Sequence, residues 1–307
     1  MTYKTLVAAL LLAAGSLHAQ SPDVRERLLV QPAWLAQHLK DADLVLLHLG
    51  QRPEYDAGHI PGAQYLSPQD ISVTTPGGLT LQMLPPDQLR DRLVALGISD
   101  GSRIVVYFGR ENPSVTPTAR VLFTLDYAGL GDRASELDGG LDAWVKAGQA
   151  LSTDVPAPRT GTLAPLKTRP LIVDAEFVNA NLGTSGIAIV DGRNTGFYTG
   201  AQTGGGPTAP HKGGHIKGAH SVPFNETVDQ ANRLKPAAEL QTLFANAGVK
   251  PGDTVVAYCH IGMQATQVIL AARSLGYKVL LYDGSFEDWS RKPDDYPVVN
   301  PQAKGKP

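Results

Sequence analysis

Cys259 is the only cysteine in the chain, and its surroundings are those of a reactive sulfur. It closes an apolar run, Val255-Val256-Ala257-Tyr258, and opens the segment Cys259-His260-Ile261-Gly262-Met263-Gln264, after which helical spacing begins. A loop that passes from a strand end into a helix start gathers free backbone N–H groups, and the helix dipole adds partial positive charge. That geometry favours an anion at the sulfur, so the thiolate is the expected working form. Gly262 lets the backbone fold closely around the sulfur because it carries no Cβ. The plainer alternative is a packing residue, since free cysteines are often just that. The flanking glycine and the helix start favour the nucleophile. A lone thiol also excludes an internal disulfide framework and any multi-cysteine metal site.

The elements that must position this loop occur twice. Gly58-His59-Ile60-Pro61-Gly62-Ala63 recurs as Gly214-His215-Ile216-Lys217-Gly218-Ala219, and Leu137-Asp138-Gly139-Gly140…Trp144 as Tyr282-Asp283-Gly284-Ser285…Trp289. Between them lie two buried-strand runs, Arg103–Tyr107 and Thr254–Tyr258, each preceded by a turn signal. Three matched elements in the same order make the chain a tandem repeat. Leu44–Leu47, Ile187–Val190 and Lys278–Leu281 read as further strands, and Ala265–Leu275 as a helix stopped by Gly276. Strand, helix, strand with short connections predicts an α/β fold whose sheets are mostly parallel and flanked by helices.

Length and composition agree. At roughly 150 residues per domain, 307 residues suggest two. We place one at 24–153 and one at 171–300, joined by a Pro-rich linker at 154–170. Apolar residues at 42% allow a sizeable core. With 27 Lys plus Arg against 29 acids and no basic block, nothing points to nucleic acid. Residues 1–20 read as an export signal, with Lys4, the apolar run Leu6–Ala14 and Leu17-His18-Ala19 before a cleavage point. About ten apolar residues fall short of the roughly 20 a membrane span needs. A periplasmic protein, free of the membrane once cleaved, is the expectation.

On these segments, from about Leu28 to about Val299, the chain resembles the tandem-domain rhodaneses, a family of sulfurtransferases. The resemblance implies two rhodanese-like domains and a cysteine, Cys259, that takes sulfane sulfur as a persulfide and passes it to cyanide or a thiol. It implies no metal and no organic cofactor. Arg193, in Asp191-Gly192-Arg193, is carried over as an anion binder for the donor, with Asp191 in support. The loop residues His260, Ile261, Gly262, Met263 and Gln264 complete the expected binding set, chiefly through their N–H groups. His260 could also carry charge and help hold an anionic donor.

The halves are unequal. Phe108 stands opposite Cys259, and His48-Leu49-Gly50 opposite Asp191-Gly192-Arg193, so the first domain is read as non-catalytic. His59 and His215 occur in both halves and are assigned to packing. The segment Gly200–Gly214 lies in a stretch of 23 residues after Asp191, against ten after His48, and reads as a surface loop near the site. A cysteine phosphatase would need an arginine six residues past the nucleophile, where Ala265 stands; the next is Arg273. Thiosulfate leads as the donor. The alternatives are 3-mercaptopyruvate, or a non-enzymatic sulfur carrier or redox sensor. Thiosulfate users of the family often have basic residues after the cysteine and 3-mercaptopyruvate users small ones; His260-Ile261 fits neither pattern.

Overall fold

The structure, a computed structural model, describes residues 22–111, 114–157, 159–206 and 209–303. The expected signal at 1–20 lies outside the described residues. Two five-stranded sheets dominate. The first runs, edge to edge, Leu29–Val30, Ala134–Leu137, Arg103–Phe108, Leu44–Leu49 and Gln64–Tyr65. The second runs Ile172–Val173, Lys278–Tyr282, Thr254–Tyr258, Ile187–Asp191 and His220–Ser221. Every neighbouring pair in both is parallel. Within each half the spatial order is first, fifth, fourth, second, third, so the sequence repeat is a repeated α/β topology.

The strands read as continuous apolar runs because both faces of each sheet are covered, as parallel sheets require. In Leu44–Leu49 the side chains alternate: Val45, Leu47 and Leu49 face one cluster, and Leu44 and Leu46 another. The second sheet repeats this, with Val255 and Ala257 on one side and Val256 and Tyr258 on the other. The first cluster is shared by both halves. Helix Val115–Tyr127 and helix Met263–Ser274, each following the central strand of its own sheet, pack together, and Leu122, Leu125, Val268, Ile269 and Ala272 are buried in the cluster they share. Two ion pairs bridge the same face, Arg120–Asp283 at 2.6 Å and Arg273–Asp126 at 2.9 Å.

A short antiparallel hairpin from the first half, Ser72–Val73 with Gln82–Met83, reaches across to the second. The Thr80 N–H donates to Glu287 Oε2 at 2.8 Å and the Met83 N–H to Asp283 Oδ2 at 2.8 Å. The Pro-rich stretch after Thr153 has neither helix nor strand in its described residues, yet it adheres to the first half. Leu163 is buried, and the Gly161 N–H donates to the Val94 carbonyl at 2.8 Å.

Candidate active site

The parallel register places Asp191 beside Tyr258, so the acid and the residue before the cysteine lie at the same end of adjacent strands. Ligand sites of open α/β sheets lie at that end. Cys259 follows, fully buried, and Gly262 caps the next helix at φ +82°, a conformation that favours glycine. A Cβ there would stand 2.9 Å from Asp283 Oδ1 and 3.0 Å from its carbonyl oxygen, so the loop depends on glycine twice over.

The loop's carbonyls are held from outside. The Phe286 N–H donates to the Cys259 carbonyl at 3.0 Å and the Glu287 N–H to that of His260 at 2.9 Å, both from the start of helix Ser285–Trp289. The Cys259 N–H donates to Ser285 Oγ at 3.1 Å, and that hydroxyl donates to the Tyr282 carbonyl at 2.9 Å. By contrast, the amides of His260, Ile261, Gly262, Met263 and Gln264 make no hydrogen bond to any described residue. Five consecutive N–H groups without an acceptor among the described residues, at a helix start, form an anion cradle.

Arg193 lies behind this loop, 1% exposed, with its guanidinium 4.0 Å over the Phe286 ring. Its Nη2 donates to Asp191 Oδ2 at 2.6 Å and to the Gly214 carbonyl at 2.7 Å, and its Nε to Asp191 Oδ1 at 3.0 Å. Asp191 also accepts the Arg193 N–H at 2.9 Å and the Tyr258 hydroxyl at 2.8 Å. Burial works against the arginine's charge, but the Asp191 carboxylate outweighs it and holds the guanidinium above its ordinary pKa. Tyr258 is pushed well above the usual phenol range, first by burial and then by Asp191. The result is a permanent positive charge beside Cys259 whose planar fork is already closed on Asp191.

His260 differs from expectation. Burial first, then the charge of Arg193 and the neighbouring His211, push its pKa down to about 4, so it is neutral at neutral pH and brings no charge to an anionic donor. It stands edge-on to Phe197, ring centroids 4.5 Å apart, and 5.8 Å from His211. Phe197 precedes and His211 lies within the Gly200–Gly214 segment, which forms a small hairpin, Gly205–Gly206 with Ala209–Pro210, and folds back onto the site. Gly204 is pressed so close that a Cβ would meet His260 Nδ1 at 2.7 Å. This inserted stretch is a wall of the site, lined with uncharged rings.

Phe197 and His211 carry no motif in the sequence, and Ser285 and Phe286 lie inside the recurring Asp-Gly…Trp segment without being singled out as site residues. For Ser285 a signal existed. The repeat aligns it with Gly140, and both have left-handed backbones, φ +52° and +58°. A serine where its twin needs glycine is strained and therefore informative. In the first half a Cβ at Gly140 would strike the Phe108 ring at 2.6 Å. Cysteine goes with serine in one half, and phenylalanine with glycine in the other.

The first half keeps the frame without the cysteine. The Ile60 N–H donates to the Tyr107 hydroxyl, and the Ile216 N–H to that of Tyr258, both at 3.1 Å. His59 stacks on Tyr55 and His215 on Tyr198, each bonded to its partner's carbonyl. Where the second half has its cradle, Glu54 inserts a carboxylate. Its Oε1 accepts the N–H of Arg110 and, at 3.0 Å, that of Glu111.

His48, opposite Asp191, is fully buried, with neither ring nitrogen bonded to a described residue; burial and then His59 lower its pKa to about 4. An unfolded histidine titrates near 6.5, so between these values the unfolded chain binds the extra proton. Stability therefore falls as pH drops from about 6.5 toward 4, at up to about 1.4 kcal/mol per pH unit for this residue. His260 acts in the same sense; Glu136, raised to about 8 by burial, acts in the opposite one. Urea denaturation at a series of pH values should show His48→Gln losing stability less steeply than wild type over this window. Parallel curves would remove His48 from the acid response.

Comparison with known proteins places this geometry. A model of the rhodanese-like domain matches twice, at residues 31–147 and 174–292. The chain is 29% identical to the thiosulfate sulfurtransferase of Azotobacter vinelandii, over 87% of this chain and 95% of that one. It is 32% identical to the probable 3-mercaptopyruvate sulfurtransferase of Pseudomonas aeruginosa, over 84% and 93%. Among solved structures, wild-type EanB superposes with a TM-score of 0.78 at 22% identity, covering 90% of this chain and 70% of that one. YnjE gives 0.75 at 24%, covering 89% and 68%. These two likenesses speak to the fold, while the domain matches assign the chain. It belongs to the rhodanese family of sulfurtransferases, as a tandem of two rhodanese-like domains.

Proposed function

We propose that this protein is a thiosulfate sulfurtransferase working through a persulfide on Cys259, with the second domain catalytic and the first supporting it. The observation that carries the reading is the row of five amides with no partner among the described residues, following a lone strand-end cysteine, with the Arg193 charge behind it. In the first step the Cys259 thiolate attacks the outer sulfur of thiosulfate. A new S–S bond forms, the donor's S–S bond breaks, and sulfite leaves with its electron pair. In the second, cyanide or a thiolate attacks the outer persulfide sulfur and the Cys259 thiolate returns. Negative charge stays on sulfur throughout, and the amides of His260 to Gln264 receive it. Arg193 contributes as a fixed charge and not as a two-pronged clamp, since its fork already holds Asp191. The donor enters past Phe197, His211 and His260.

The Pseudomonas aeruginosa relative and the uncharged entrance favour 3-mercaptopyruvate as a second reading. Intact-mass measurement after incubation with each donor separates them. A gain of one sulfur atom, reversed by cyanide, is expected with thiosulfate. A gain with 3-mercaptopyruvate alone replaces the donor, and a gain with neither leaves a sulfur carrier or redox sensor. We further propose export to the periplasm on the character of residues 1–20. Cleavage of that segment in the protein recovered from a periplasmic extract is the test.

A further inference from the structure

The cradle is aimed by its carbonyls. Across a trans peptide the C=O and the following N–H point in opposite directions. Tying the carbonyls of Cys259 and His260 outward to Phe286 and Glu287 therefore turns the amides of His260 and Ile261 inward. A third carbonyl, that of Gly262 at the N-cap of helix Met263–Ser274, is approached from the other domain as well. It faces Arg120 Nη1 at 3.5 Å, from helix Val115–Tyr127 of the domain that lacks a cysteine.

Arg120 is built for one position. It is 2% exposed, its Nη1 donates to Asp283 Oδ1 at 2.6 Å, and its Nη2 donates to the Leu81 carbonyl at 2.5 Å. Asp283 is itself fixed by the Met83 N–H, and its carbonyl accepts from Gln82 Nε2 at 3.1 Å. It precedes Gly284 and Ser285, the residues that start the helix holding Cys259 and His260. One guanidinium thus touches both supports of the loop, the Gly262 carbonyl and the turn that begins at Asp283. Arg273–Asp126, the other ion pair across this face, joins Asp126 to the far end of helix Met263–Ser274, away from the loop.

We propose that Arg120 is a positioning residue for the Cys259 loop: from the silent domain it pins the Gly262 carbonyl and so aims the Met263 amide at the sulfur. The inference rests on the sulfur-transfer reading of Cys259. The first domain then does more than cover the site, because it completes the site's geometry.

The test compares Arg120→Lys, which keeps a charge beside Asp283 but loses the fork, with the double variant Arg120→Met/Asp283→Asn, which removes the pair without stranding a buried carboxylate. Arg273→Met is the control for loss of an interdomain ion pair. Three quantities are measured on the full chain: the pH profile of iodoacetamide alkylation of Cys259, kcat and KM with thiosulfate, and urea denaturation. In folded Arg120 variants, alkylation at neutral pH slows about tenfold with its profile moved to higher pH. kcat falls about tenfold while KM stays within about twofold. Arg273→Met keeps the wild-type profile. Folded Arg120→Lys protein with the wild-type profile and kcat would overturn the proposal, as would an equal slowing in Arg273→Met. If wild type gains no sulfur from any donor yet Arg120→Lys still slows alkylation, the functional reading fails and the positioning role stands.

Discussion

Cys259→Ser protein folds and transfers no sulfur, its turnover down by at least about a thousandfold. The reason is chemical. A serine hydroxyl is scarcely ionised at neutral pH, and oxygen cannot form the disulfide-like bond that lets sulfur be taken and then released. The chain has no second cysteine to substitute for it. The amide cradle survives the change, because its carbonyls are tied to Phe286 and Glu287 through the backbone. Intact-mass measurement should therefore find no cyanide-labile sulfur on a protein whose thermal melt resembles wild type. Persistent turnover in this variant would place the sulfur on something other than Cys259 and end the persulfide reading.

Arg193→Met and Asp191→Asn each cost about 3–5 kcal/mol, because each leaves the surviving partner buried without the charge it was paired with. Both side chains are at most 1% exposed, so water cannot take the missing partner's place. The double variant loses less than the two singles together, and urea denaturation of all four proteins gives the coupling. Activity behaves differently: any variant without Arg193 loses the fixed charge beside Cys259, so the double variant regains stability without regaining kcat. Single variants within about 1 kcal/mol of wild type would contradict a buried pair. A double variant with wild-type kcat would show that the Arg193 charge does nothing for the reaction.

The tandem α/β architecture was legible because its carriers are long. The strands around Leu44–Leu49, Arg103–Phe108, Ile187–Asp191 and Thr254–Tyr258 span five or six residues each, and the Gly-His-Ile and Asp-Gly…Trp segments recur in order. The edge strands Leu29–Val30, Gln64–Tyr65, Ile172–Val173 and His220–Ser221 are two residues each, too short for any periodicity to announce them. At the site, Cys259, Gly262 and the Asp191–Arg193 pair could be found, since local spacing encodes them. The burial that neutralises His260 could not. It comes from Phe197 and His211, more than 45 residues earlier in the chain, and distance in sequence hides such packing. Arg120 was hidden differently: it sits in a helix of mostly apolar, buried residues, and its partners Leu81 and Asp283 lie 39 and 163 residues away.

Glu54 gives the duplication a stoichiometric meaning. Copying a domain copies its affinity for anions, and an ancestral spare dock would soak up donor without turning it over. Here the spare dock carries its own tethered counter-ion, with the Glu54 carboxylate seated on the amides of Arg110 and Glu111. A tethered carboxylate holds those amides intramolecularly, so a dissolved donor must displace it to bind there. Saturating the protein should thus consume one equivalent per polypeptide, although the fold was built from two of the same receptacle.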